Sequence, residues 1–173
     1  MNNFITGAPR RSRWLQAARW QTPSDAQIAS IAVTANQIDI DAGKLAESKG
    51  SNAEVKAFGK QMVTDHSGVN KQAVALVTKL KVTPEDNATS KSLKAGGVEN
   101  VKSLRKLSGA AFDRAYVEHE VAYHEQVLDA IDKTLIPGAQ NAELKSLLVA
   151  VRPPFAAHLE HAKSLQASLA KKS

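Results

Sequence analysis

The sequence contains no cysteine. That absence excludes disulfides, thiolate nucleophiles, cysteine-ligated zinc and iron–sulfur clusters, and it leaves the redox compartment open. Aromatic residues make up only 5% of the 173 residues, against the profile of a strand-rich chain. No apolar run approaches the roughly 18 residues of a membrane-spanning helix. The leader also lacks the apolar core, about 7–15 residues long, of a secretory signal, so no signal peptide is visible. No sequence-local Ser nucleophile motif, phosphate-binding loop or dinucleotide fingerprint is present. Gly96-Gly97 lacks the flanking Gly and Lys of a phosphate loop and reads as a hinge or turn.

What is present describes one globular domain. Apolar residues reach 43%, too many for a disordered chain. At this length about two thirds of the unfolded surface can be buried, so neither a metal nor a disulfide is needed merely to fold. The net charge of +6 is unevenly placed. Residues 1–23 hold Arg10, Arg11, Arg13 and Arg19 and no acid, which leaves 19 basic against 17 acidic side chains in the rest. The division is therefore a basic, flexible extension over 1–23 and a bundle domain over 24–173. The leader, with Trp14 and Trp20 beside its arginines, offers contacts to phosphates or anionic lipid, but the body gives no strong evidence for nucleic acid binding.

The body reads as helix throughout. Thr22-Pro23-Ser24-Asp25 predicts a helix start capped by Thr22, followed by apolar residues at helical spacing from Ile28 to Leu45. Gly50 predicts its end, and Ser51 with Glu54 predicts a capping box for a second helix reaching Leu80. A weaker element covers 86–107. A long helix follows from about Ala110 to Leu135, and a last one from near Ala139 toward Leu169, kinked or restarted at Pro153-Pro154. Four long amphipathic segments with short connections predict an all-α, antiparallel four-helix bundle, with 81–108 as a crossover or an additional short helix. Apolar stripes on more than one helix face leave a homo-oligomer open.

Each principal helix carries a polar residue inside its apolar pattern: Asp39, His66, His124 and His158. Three neutral imidazoles and a carboxylate have the number and chemistry for zinc, and iron or manganese is also accepted. Asp65 is an additional ligand or an acceptor that orients a His. Glu120 and His124, four apart, can face one another, although Glu-x-x-x-His is not the Glu-x-x-His element of di-iron bundles. The competing reading is a structural network in which the buried histidines bond to Asp39, Tyr116, Tyr123 or one another. His119 and His161 read as surface residues. His158-Leu159-Glu160-His161 is not the zincin motif.

Four segments together carry a resemblance: DIDAGKLA at 39–46, AEVKAFGKQMVTDHSGVN at 53–70, SGAAFDRAYVEHEVAYH at 108–124 and HLEHAKSL at 158–165. The chain resembles, over about residues 24–170, the bacterial family called domain of unknown function 4142, described in places as outer-membrane proteins. The resemblance implies a ferritin-like bundle, usually exported, so the localisation it implies is periplasmic or outer-membrane-associated. It supplies no reaction. The matching positions are Asp39, Asp41, Asp65, His66, Asn70, Phe112, Asp113, Tyr116, His124 and His158, and the family more often has Glu where Asp39 and Asp41 stand. Three functions follow: an exported bundle binding a transition metal with a role in envelope stress or metal handling, a ferritin-like metal-dependent oxidoreductase, and a DNA-associated stress-protection protein resting on the leader.

Overall fold

The computed structural model describes residues 22–171, so the readings placed on Arg10, Arg11, Arg13, Trp14, Arg19 and Trp20 lie outside the described residues. The elements are α1 (Asp25–Lys49), α2 (Ala53–Leu80), α3 (Ala88–Arg105), α4 (Gly109–Ala130), a π-helical turn (Ile131–Leu135), α5 (Ile136–Gly138) and α6 (Ala142–Lys171). No strand occurs among the described residues.

The caps explain the boundaries and correct two of the predicted ones. Ser24, not Thr22, caps α1: its hydroxyl accepts from the Gln27 amide and the Gln27 side chain accepts from the Ser24 amide, both at 3.2 Å. Asp25 is thereby free to accept from the amides of Gln140 and Asn141 at 2.9 and 3.0 Å, pinning the start of α6 to the start of α1. At α2 the cap is Asn52, whose side chain accepts from the Glu54 amide at 2.8 Å. Ser51 instead gives its amide (2.9 Å) and its hydroxyl to Asp113, which also accepts from the Asn52 amide at 2.9 Å. Asp113 on α4 thus caps α2 across the bundle.

Those ties set the topology. The Gly50–Asn52 end of α1 meets the start of α4, and the start of α1 meets the start of α6. Helices α1, α2, α6 and α4 therefore form a ring in which each neighbour runs antiparallel, and α3 carries the chain back along α1. One crossover in a four-helix bundle is the connectivity of ferritin-like folds.

Two local expectations differ from the structure. Gly96-Gly97 is not a hinge; α3 runs unbroken through it. A Cβ on Gly97 would lie 2.6 Å from Cγ1 of Ile38, so this glycine lets α3 settle onto α1. Pro153-Pro154 does not restart the last helix: both prolines stay inside α6. A proline in a helix interior costs about 3 kcal/mol, but packing holds both flanks here. Val151 and Phe155 are buried, and Arg152 pairs in a fork with Asp132 at 2.6 and 2.8 Å.

The core has two apolar halves. One gathers around Phe58, Met62, Phe112 and Tyr116, the other around Ile28, Ile131, Leu148 and Phe155. Between α1 and α2 the backbones themselves touch: a Cβ on Gly43 would lie 2.7 Å from the Gly59 carbonyl oxygen, and one on Gly59 would lie 2.7 Å from that of Gly43. Backbone cannot move aside as a side chain does. We expect Gly59→Ala to destabilise the protein by roughly 2–3 kcal/mol, lowering Tm in chelator by about 5–10 °C. An unchanged melt would show that α1 and α2 separate at no loss.

Candidate metal centre

Between the two apolar halves lies a buried polar layer to which every helix of the ring contributes. Asp39 comes from α1, His66 from α2, Glu120 and His124 from α4, and His158 from α6; all are 2% exposed or less. Helical periodicity delivers them, because each sits on the same stripe as its apolar neighbours.

One ligand-type nitrogen from each of His66, His124 and His158 lies within 4.8 Å of the others, and Asp39, Glu120 and His124 form a second such set. His124 links the two. The outer nitrogen of each ring is held by a specific acceptor. His66 Nδ1 meets Asn36 Oδ1 at 2.9 Å, and Asn36 is itself anchored by donating to Asn70 at 3.0 Å. His124 Nδ1 meets the Glu120 carbonyl oxygen at 3.0 Å. His158 Nε2 meets Asp65 Oδ2 at 2.9 Å. A carbonyl oxygen and a carboxylate only accept, so these outer nitrogens carry the ring protons. The inner nitrogens, His66 Nε2, His124 Nε2 and His158 Nδ1, are then bare lone pairs, and none has a hydrogen-bond partner within the protein. Asp39 Oδ1, both Glu120 oxygens and the Tyr116 hydroxyl also lack a partner at good hydrogen-bond geometry, although Glu120 lies close enough to Asp39 and Tyr116 for those side chains to bear on its ionisation.

A self-satisfied structural network would not leave this residue. Buried polar atoms are nearly always bonded, yet here the unpartnered ones concentrate in one layer. Asp39 comes no closer to His66 than 3.4 Å. Tyr123 donates to the Ala35 carbonyl oxygen at 3.1 Å rather than to a histidine.

The charge states fit the same description. Burial pushes His66 down to about 2 and His124 to about 4, with neighbouring imidazoles adding to the effect. Burial also lowers His158, partly opposed by Asp65. The carboxyls move the other way: burial raises both Asp39 and Glu120, the charge of Glu120 adds to the rise at Asp39, and the Asp39 and Tyr116 side chains partly oppose the rise at Glu120. Burial thus disfavours the charged form of every member of the layer, imidazole and carboxyl alike. A divalent cation reverses that preference for the carboxyls.

Phe155 closes the layer on one side, its ring 4.7 Å from His66 and 5.9 Å from His158. Asn36 and Phe155 also wall an otherwise apolar void of about 40 Å³ in that half of the bundle. Bulk water is thus kept from the centre by apolar packing above and below.

Of the predicted site residues, His66, His124, His158 and Asp39 are brought together. Asp65 stands behind His158 with its side chain 42% exposed and belongs to neither converging set. Glu120 joins them; its spacing from His124 was the signal for it. His119 is half-buried and stacks on Tyr123, while His161 is exposed and meets the edge of Phe58, so neither enters. Asp41 is exposed and accepts from Gln37. Asn36 carried no sequence signal beyond an isolated polar residue among apolar ones.

Fold and site together define an all-helical bundle with one crossover and a buried histidine–carboxylate cluster capable of coordinating a metal ion. The chain belongs to the family described as domain of unknown function (DUF4142), whose family model matches residues 13–165. No curated protein and no solved structure matches it. No helix among the described residues is long and apolar enough to cross a membrane.

Proposed function

We propose that the protein is an exported, noncatalytic metal-handling bundle that holds one divalent transition ion. The proposed ligands are His66 Nε2, His124 Nε2 and His158 Nδ1, with Asp39 and Glu120 supplying carboxylate oxygen. Asn36, the Glu120 carbonyl and Asp65 orient the three rings. The observation that carries this reading is the set of three buried, unpartnered inner nitrogens whose outer nitrogens are each fixed by an acceptor. Metal-bound histidines almost always have such outer partners. Nitrogen and carboxylate donors without thiolate suit zinc, iron or manganese. One ion fits better than two, because His124 has a single bare nitrogen and only two carboxylates are present, where di-iron bundles use four Glu and two His. The family resemblance supports an envelope location.

Metal analysis after gentle purification without chelator, followed by titration calorimetry with zinc, iron(II) and manganese, tests the reading. The expected result is one ion per chain and no sustained oxidase, peroxidase or catalase turnover. No binding of any of the three at micromolar concentrations would refute it. Turnover lost in His66→Ala would establish the oxidoreductase instead.

Protons provide a second readout. The raised carboxyls must ionise to bind a cation, so binding at pH 7 is expected to release protons. Affinity should therefore rise as pH rises from 6 to 8. Calorimetry in buffers of different ionisation enthalpy measures the release; none would show that the carboxyls do not take part.

A further inference from the structure

We propose that the groove between α1 and α3 binds a single-chain anionic amphiphile, a long-chain fatty acid carboxylate, with its head at the C-terminal end of the two helices. The groove has a volume of about 1070 Å³ and lies outside the metal layer. Its floor is apolar, formed by Val33, Ile38, Leu45, Val98 and Val101. Val98 is 63% exposed, an unusual placement for a branched aliphatic residue on a helix that otherwise faces water with Lys, Glu and Ser.

The charge along this floor is one-sided. Lys44, Lys94, Lys102 and Arg105 line the groove against one acid, Asp41. Asp41 already accepts from Gln37 at 2.8 Å, and Lys102 has Glu99 at 3.4 Å. Lys44, Lys94 and Arg105 form no ion pair among the described residues. Lys102 and Arg105 occupy the last turn of α3, and Lys44 stands five residues before the end of α1, so the three cationic residues stand toward the same end of the apolar strip. Lys94 closes the other end.

Complementarity selects the occupant. The chain's own residues 1–21 carry four Arg and no acid, so the groove repels them. Fourteen residues line it, whereas a stable protein interface engages about 20–30 a side. The volume instead matches the upper end of small-molecule sites, about 300–1,000 Å³. An apolar chain on the valine strip with a carboxylate at Lys44, Lys102 and Arg105 satisfies both features.

The test uses the full chain and laurate below its micelle concentration, with dodecanol and dodecyltrimethylammonium as neutral and cationic controls. Saturable 1:1 binding of laurate is expected, at least about tenfold tighter than either control. Val98→Asp and the double variant Lys102→Glu/Arg105→Glu, all at exposed positions, should each weaken it by about tenfold or more. Circular dichroism and metal affinity should stay unchanged, because no metal-layer residue is touched. Equal binding of the cationic control, or laurate binding indifferent to both variants, would overturn the proposal. So would binding only to anionic phosphatidylglycerol vesicles, which would make this face a membrane-docking surface. Loss of metal binding in the wild type would leave the groove untouched, so the two readings fail separately.

Discussion

His66→Ala is expected to lower affinity for a divalent transition ion by at least about 100-fold, the largest loss among single substitutions in the bundle. His66 faces both neighbouring rings, with centroids 5.7 Å from His124 and 5.4 Å from His158, and its inner nitrogen lies 3.4 Å from Asp39. Its removal takes a ligand from the middle of the donor set. Outer-partner changes typically cost 10–100-fold, so Asp65→Asn should fall about tenfold and His66→Ala further. His119→Ala and His161→Ala, which remove imidazoles outside the cluster, should bind as the wild type does. His66→Gln, closer in volume, guards against loss of fold as the explanation. Calorimetric titration of the five variants checks the order; wild-type affinity in His66→Ala would remove the basis for a metal centre here.

Glu120→Gln is expected to act with opposite signs on stability and binding. Burial raises the folded-state acidity constant of Glu120 from its ordinary 4.5 to about 8. An acid whose pKa is raised on folding gives a penalty that is absent below the unfolded value, grows as pH rises, and levels off above the folded value. Gln carries no such penalty. The metal-free variant should therefore match the wild type near pH 4 and exceed it near pH 8, by on the order of 2–4 kcal/mol, or about 5–10 °C in Tm. The histidines work the other way. Their lowered values mean that stability falls as pH drops below about 6.5, where the unfolded chain takes up protons that the folded one refuses. Metal affinity in the variant should drop at least tenfold through loss of an anionic oxygen. Melting curves in chelator between pH 4 and 8.5, with titrations beside them, test both signs. A variant less stable at every pH, or one that keeps full affinity, would show that Glu120 serves the fold rather than an ion.

Much of this centre is legible in the chain because helices are local. Apolar spacing and caps place α1, α2, α4 and α6, and the same period puts Asp39, His66, His124 and His158 on inward stripes. Asn36 and Asp65 are different. Whether a polar residue at a stripe's margin reaches a ring on another helix depends on the rotation of both helices, which no local pattern states. Glu120 lies between these cases: its spacing from His124 is local, but its burial depends on Asp39 from α1. The same division explains Gly97 and Pro153-Pro154. Each has a helix-breaking propensity of about 1–3 kcal/mol, and contacts from Ile38, Asp132 and buried neighbours outweigh it.

The missing cysteines, sparse aromatics and absent apolar spans thus pointed from sequence to a helical domain without thiolate chemistry, whose inward polar groups are histidine and carboxylate. Helical period, being a property of adjacent turns, was enough to aim those groups inward. Convergence was decided only by the tertiary structure, because it depends on the crossover of α3, the glycine contact of α1 with α2, and the relative height of four separate helices. Those are long-range packing choices, and they bring one nitrogen from each of three imidazoles within 4.8 Å of one another.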